Sequence, residues 1–270
     1  MPELPEVETT RRGIEPFLLG HRVTESRLYR PDLRWPIPAA IGHQLPGQRI
    51  LGVGRRAKYL LLETGIGAAL LHLGMSGSLR ILPVSQPRGP HDHVDLLLDS
   101  GKLLRFNDPR RFGCLLWQPL GEVHPLLQQL GPEPLGADFD GDVLFAQSRG
   151  RQAPVKALLM DQRIVVGVGN IYAAEALFRA GVRPSRRAGL VTRDRYRALA
   201  AAIRSILADA IERGGTTLRD FIRPDGEPGY FAQELMVYGR ANRPCRVCGT
   251  AIKGIRSQQR SSFYCPTCQR

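Results

Sequence analysis

The sequence predicts an α+β protein of more than one domain, and three observations carry that expectation. Short β-like segments separated by turn residues fill the first half of the chain. Beyond Leu130-Gly-Pro-Glu-Pro-Leu-Gly136 the apolar pattern changes to helical spacing. Near the C-terminus, Cys245-x-x-Cys248 and Cys265-x-x-Cys268 form two closely spaced pairs.

The first element expected is a helix over residues 3–19, with Val7, Ile14, Phe17 and Leu18 at helical spacing, Pro5 in its first turn and Gly20 as its stop. Strands follow. Lys58 to Glu63 and Ala68 to Leu73 flank Thr-Gly-Ile-Gly, and Val94 to Leu98 and Lys102 to Asn107 flank Asp-Ser-Gly. Several such strands suggest a β-sandwich or a barrel. In the second half Asn170 can cap a helix carrying Ile171, Ala174 and Phe178 that ends at Gly181. Thr192 can cap a longer one with Tyr196, Leu199, Ile203, Ile206, Leu207, Ala210 and Ile211 on one stripe. Residues 216–230 mix Gly, Pro and charge and read as an exposed, mobile loop.

Composition limits the function. The 270 residues are 43% hydrophobic, which excludes a chain disordered throughout. No run of eighteen apolar residues is present, so no membrane-spanning helix is expected, and the acidic MPELPEVETT start is unlike a secretory signal. A cytosolic location is therefore expected. The net charge of +13 favours a polyanionic partner, nucleic acid first, with a merely basic surface as the alternative. Of the 38 basic residues 34 are Arg, leaving only Lys58, Lys102, Lys156 and Lys253. A Lys retained in so Arg-rich a chain hints at a task that Arg cannot perform, because an ammonium can give up its proton and a guanidinium effectively cannot.

The two Cys-x-x-Cys pairs, sixteen residues apart, have the spacing of a closed tetrahedral zinc site, which is structural because it leaves no open position. Two disulfides or a redox pair are the rivals, and a cytosolic setting disfavours the first. Lys253, Arg256 and Arg260 lie in the enclosed segment, and no acidic residue follows Glu234, so the module suits phosphate contacts. Cys114 stands alone in an apolar stretch and reads as a buried structural residue. Pro2 has two readings. It can simply start the helix, with Glu3 as a first-turn acid, or, once Met1 is removed, it can offer a secondary amine of pKa near ~8 as a nucleophile. His91-Asp-His93 could pass for a metal fragment, but no further ligand signature accompanies it.

The string PELPEVET decides between the readings of Pro2, because it resembles the start of the formamidopyrimidine-DNA glycosylase family. The resemblance continues through RRAKYLLLE, HLGMSGSLRIL, HDHVDL and DPRRFG, then LMDQRIVVGVGNIYAAEALFRAGV, GGTTLRDF and GYFAQELMVYGR, to the four cysteines. It thus covers essentially the whole chain. The related endonuclease VIII branch, which removes oxidised pyrimidines, usually opens PEGPE, and Leu4 favours the purine branch.

The resemblance implies an N-terminal β-sandwich with a leading helix (1–131), a helix–two-turns–helix domain (132–235) and a zinc finger (236–270), with DNA in the cleft between. It implies a monomeric bacterial repair enzyme, acting on the nucleoid, that binds one structural zinc and duplex DNA carrying oxidised purines or abasic sites. Pro2 would form the Schiff base, Glu3 would assist sugar opening, Lys58 would donate a proton for β-elimination, and Arg260 would assist the later elimination. Met75, Arg110 and Phe112 would enter the duplex when the damaged nucleotide flips out. Read without the family, Met75 and Phe112 would be core residues. His91, Arg151 and Asn170 would contact DNA, Glu6 and Lys156 would bear on the lesion pocket, and Cys245, Cys248, Cys265 and Cys268 would hold the zinc. Arg151 departs from the lysine found in a relative; it keeps the phosphate-binding charge and leaves the detailed contact open. A non-catalytic zinc-finger DNA-binding protein is the reading from another class, and it gives PELPEVET and Lys58 no purpose.

Overall fold

The computed structural model describes residues 2–215, 235–257 and 259–270, so the loop expected at 216–230 lies outside the described residues. Chain contacts divide the protein into two units, with one boundary between Gln128 and Gln129. The C-terminal cysteine module groups with the helices of the second unit.

The first unit opens with α1 (Leu4–Leu18), whose N-cap is Glu3 and whose first turn holds Pro5, where a missing N–H breaks no helical bond. Val7, Ile14 and Leu18 face the core. Phe17, expected on the same stripe, is instead 37% exposed, with the Lys102 ammonium 4.2 Å from its ring centre. After α1 come β1 (Val23–Leu28), α2 (Ala39–His43), β2 (Gly52–Arg56), β3 (Tyr59–Thr64), β4 (Gly67–His72), β5 (Ser78–Pro83), β6 (Asp92–Leu98), β7 (Lys102–Asn107), β8 (Cys114–Pro119) and α3 (Pro125–Gln128). They build two four-stranded antiparallel sheets, ordered β1-β6-β7-β5 and β2-β3-β4-β8. Leu96, Leu104 and Phe106 from the first sheet share one core with Leu60, Leu71 and Leu115 from the second. Of the two architectures left open by the strand pattern, this is the sandwich. The expected strand at Lys58 begins one residue later, at Tyr59, which puts Lys58 in the β2–β3 turn.

The second unit contains α4 (Gly141–Ser148), α5 (Val155–Leu159), α6 (Asn170–Arg179) and α7 (Arg193–Glu212). The α7 stripe packs as its spacing predicts, with Tyr196, Leu199, Ile203 and Leu207 almost fully buried. Thr192 Oγ1 accepts from the Arg195 amide as a cap. At α6 the cap is Gly169, with Asn170 as the first helical residue, so the expected capping role of the Asn170 side chain is not realised. The hairpin of β9 (Lys253–Ser257) and β10 (Arg260–Tyr264) closes the unit.

Candidate active site

The N-terminal residues of the first unit are held inside it. Pro2 is buried, Glu3 is 2% exposed and Glu6 is fully buried. The Glu3 amide donates to Glu6 Oε2 at 2.8 Å, and the Glu3 side chain accepts from the Glu6 amide, a reciprocal capping box that fixes the chain just after Pro2. Gly215 (φ +81°) comes so close that a Cβ there would lie 3.1 Å from Glu6 Oε1. Two acids within one turn are thereby kept under cover.

Lys58, 7% exposed, sits in the two-residue turn between β2 and β3. Its neighbour Ala57 takes φ +55°, the left-handed geometry that tight hairpin turns require. Arg55 braces the turn, donating through Nη1 to the Ala57 carbonyl at 2.9 Å and through Nε to Glu8 at 3.0 Å. Burial alone would raise the Glu8 carboxyl, but bonds from Arg11, Arg12 and Arg55 outweigh it and hold Glu8 below the usual range. His72 is affected by Lys58. Burial, then the charges of Lys58 and Arg34, push its imidazole down to about 4. Its neutral ring packs at a tilt against Tyr59, and Nδ1 accepts from the Gly74 amide at 2.9 Å.

Met75 stands on the turn that this bond shapes, and Arg110 and Phe112 stand on the loop after β7. Met75 is half-buried, while Arg110 is exposed and Phe112 is 45% exposed with the Arg110 guanidinium 4.8 Å from its ring centre. An exposed Phe beside an exposed Arg is not core packing. Asp108, fully buried, lies under both loops. It accepts from Ser76 Oγ at 2.7 Å and from the Gly113 amide at 2.8 Å. Its own amide donates to the His91 carbonyl at 3.0 Å, and its carbonyl lies 2.9 Å from His93 Nε2. His91 is exposed and takes φ +66°, so its ring is presented to solvent from a constrained backbone.

In the second unit Lys156 is 5% exposed, and its Nζ donates to the Ser261 carbonyl at 3.0 Å and to Ser262 Oγ at 2.9 Å. It therefore pins β10 immediately beside the exposed Arg260, and both line a cavity of about 220 Å³ with Met160 and Asp161. Arg151 is exposed, holds the Gln147 carbonyl at 2.7 Å, and contributes to lowering the Asp161 carboxyl, which is held down chiefly by Arg163. Asn170 opens α6 with a buried Oδ1 that has no partner among the described residues, and its Nδ2 reaches Tyr238 only at 3.5 Å. An amide oxygen left without a partner calls for a donor, from water or a ligand, to supply the missing bond.

The four C-terminal thiols converge, their sulfurs all lying within 4.8 Å of one another, with none in a disulfide. The edges Cys245–Cys268 at 4.0 Å and Cys248–Cys265 at 3.4 Å bracket the roughly 3.8 Å edge expected of a tetrahedral zinc–thiolate shell. The donor set fits one structural zinc.

The family profile for the formamidopyrimidine-DNA glycosylase N-terminal domain matches residues 1–115, the profile for its H2TH domain matches 130–222, and that for the zinc finger found in FPG and IleRS matches 243–270. The formamidopyrimidine-DNA glycosylase of Stenotrophomonas maltophilia strain K279a is 67% identical over the full length of both chains. The chain belongs to the formamidopyrimidine-DNA glycosylase family. The solved MutM (FPG) protein of Thermus thermophilus is 42% identical, covering 99% of this chain and 98% of that one, with a TM-score of 0.90. The Lactococcus lactis enzyme, solved with Fapy-dG-containing DNA, is 32% identical with a TM-score of 0.91, covering 99% and 100%.

Within this glycosylase fold the first unit carries Pro2, Glu3, Glu6, Lys58, Met75, His91, Arg110 and Phe112, and the second carries Arg151, Lys156, Asn170, Arg260 and the four cysteines. Glu6 and Lys156, expected at the lesion pocket, both spend polar atoms on holding a neighbour: Glu6 on the Glu3 amide, Lys156 on β10. Sequence reading misses His72, Ser76 and Asp108, which shape the Met75 and Arg110 loops. It also misses Glu175, whose buried carboxylate accepts from the Met236, Val237 and Tyr238 amides at 2.8–3.0 Å and ties the start of the finger to α6. An acid inside the apolar run Ile171–Phe178 is the available signal, because a buried carboxylate must find donors.

Proposed function

We propose that this glycosylase is bifunctional: it excises formamidopyrimidines and 8-oxoguanine from duplex DNA and then cleaves the strand as an AP lyase. The Pro2 amine attacks C1′ of the deoxyribose, the glycosidic C–N bond breaks, and the base leaves with a proton. Glu3 assists opening of the sugar, and the resulting iminium withdraws electrons from C2′. Loss of a C2′ proton expels the 3′ phosphate, a second elimination expels the 5′ phosphate, and water hydrolyses the iminium to free Pro2. Lys58 exchanges the protons of the elimination steps, and Arg260 serves the later one. Met75, Arg110 and Phe112 replace the extruded nucleotide, an apolar side chain restoring stacking and the guanidinium bonding the orphaned base. His91, Arg151 and Asn170 contact the backbone, and Glu6 and Lys156 support the lesion pocket. Zinc folds the finger and takes no part in the chemistry. We place the enzyme in the bacterial cytoplasm, acting as a monomer.

The observation that carries this reading is the burial, in one unit, of Pro2 and of Lys58, whose ammonium a hairpin turn ordinarily leaves in solvent. Borohydride reduction on abasic duplex is the test. A covalent adduct should form through the Pro2 nitrogen, mapped by peptide mass spectrometry. Adduct formation at wild-type rate by a protein that retains Met1 would refute Pro2 as the nucleophile.

A further inference from the structure

A buried carboxylate with no cationic partner is costly, and it persists only where enough donors converge on it. Asp108 is such a group. Among the described residues its carboxylate accepts only from Ser76 Oγ and from the amides of Arg110, at 3.3 Å, and Gly113. Those donors come from two different loops. Ser76 belongs to the Met75 turn, and Arg110 and Gly113 belong to the loop that carries Phe112. Ser76 Oγ also accepts from the Arg110 amide at 3.2 Å, so the loops are joined twice.

Backbone contact makes the junction tight. A Cβ on Gly74 (φ +63°) would lie 2.4 Å from both the Gly113 nitrogen and the Phe112 carbonyl carbon. A Cβ on Gly113 would lie 2.6 Å from the His72 carbonyl oxygen. No side chain can come between the loops, and Asp108 closes them from beneath. Met75, Arg110 and Phe112 therefore project from one body with fixed separations.

We infer that Asp108, acting with Ser76, is a positioning residue that locks the Met75 turn and the Arg110–Phe112 loop into a single insertion unit. Its task is extrusion of the damaged nucleotide, not the chemistry at C1′. This rests on the reading above that these three side chains enter the duplex. A paired lesion base must be unstacked and its place filled, whereas an abasic sugar has no base to extrude. The two substrates should therefore respond differently when the lock is broken.

The test uses full-length, zinc-loaded Asp108→Ala, Asp108→Asn and Ser76→Ala proteins. Single-turnover base release is measured on an 8-oxoguanine·cytosine duplex, and nicking on an abasic duplex. Asp108→Ala should slow base release about 100-fold, the scale of a misplaced positioning contact, and abasic nicking far less, because no base has to be unstacked there. Asp108→Asn should lose less, because its amide oxygen can still accept from the Gly113 amide and its NH2 can donate to Ser76 Oγ, so that only the bond from the Arg110 amide to residue 108 is lost. Hydrogen exchange in the DNA-free protein tests the lock by itself: the amides of 75–77 and 110–113 should speed up together in Asp108→Asn.

Equal losses on both substrates at unchanged melting temperature would overturn the inference, as would wild-type base release by Asp108→Ala, or faster exchange in one loop only. If Asp108→Ala does not fold, Asp108→Asn and Ser76→Ala carry the same comparison. A Met75→Ala enzyme that releases the lesion base at wild-type rate would instead refute the insertion reading, and with it the assigned task. The exchange result would still report on the lock, so the two failures can be told apart.

Discussion

In the sandwich unit one carboxylate, Asp108, organises two loops by accepting hydrogen bonds from Ser76 and Gly113, with the shared core of both sheets beneath it. In the C-terminal finger four thiols converge around a hairpin whose apolar cluster is small: Val237, Ile252 and, on α6, Ala174 and Phe178, with Met236, Tyr238 and Phe263 packed against it. Burial of apolar surface stabilises the first, and coordination must stabilise the second. Position and chemistry should therefore separate: metal should govern grip, and protonation and hydrogen bonding should govern the reacting end.

The largest effect should come from the finger. Cys248→Ser, or chelation of the wild-type protein, should release one zinc and unfold residues 245–268 while circular dichroism still reports α4 to α7. Duplex affinity should fall, and its salt dependence should lose roughly 0.9 unit for each phosphate contact that Lys253, Arg256 and Arg260 no longer make. Metal-free protein that retains full affinity would break the contrast between the two units.

Lys58 comes next. Lys58→Arg keeps the cation but removes a proton donor of usable pKa. Affinity for an uncleavable abasic analogue should hold, while strand cleavage should slow about 100-fold, the lower range for losing a general acid or base. Cleavage should also lag behind base release in single-turnover assays. Nicking at the wild-type rate would reduce Lys58 to a charge.

The contrast also explains what can be read from the sequence. The zinc ligands are legible from spacing alone, because two Cys-x-x-Cys turns suffice to build the site. The α7 stripe and the β6–β7 hairpin are legible because each is local, set by the 3.6-residue period or by Asp-Ser-Gly. The rarity of Lys points to Lys58 but not to its place in the turn, since Ala57 at φ +55° is uncommon for alanine and carries no turn signature. Asp108 is hidden within DPRRFG because its partners, Ser76 and Gly113, lie 32 and 5 residues away. Residue type suggests Asn170 as a cap, yet Gly169 holds that position and the Asn170 side-chain Oδ1 is left without a partner. Local patterns disclose scaffolds, whereas functional loops depend on contacts between distant segments.

A smaller effect is expected at Arg260. Arg260→Ala should weaken duplex binding several-fold and flatten the salt dependence by about one unit, as for a single phosphate contact, with strand cleavage only modestly slower. Lys156→Met should reproduce part of this change without removing any exposed charge, because Lys156 pins Ser261 and Ser262 next to Arg260. A Lys156→Met protein with wild-type salt dependence would show that β10 needs no such pin.

The finest distinction concerns His72. Its imidazole is pushed down to about 4 from an ordinary 6.5, first by burial and then by the Lys58 charge. The unfolded chain therefore takes up a proton below about pH 6.5 that the folded chain refuses until about pH 4. The stability His72 contributes is complete above pH 6.5 and is lost as pH falls toward 4. Protonation would also remove the Nδ1 acceptor from the Gly74 amide and loosen the turn beneath Met75. His72→Gln offers an acceptor that does not titrate in this range. Between pH 6.5 and 4 the melting temperature of the wild type should accordingly fall more steeply than that of His72→Gln. The Glu8 carboxyl, held low by its arginines, loses its contribution as pH falls through its own depressed value, but it does so in both proteins and cancels from the difference. Parallel curves across this range would mean that His72 titrates alike in the folded and unfolded chains, so that neither burial nor the Lys58 charge depresses it. The bond from the Gly74 amide to Nδ1 would then be lost as pH falls through about 6.5 rather than about 4, leaving the Asp108 lock alone to hold the Met75 turn below that point.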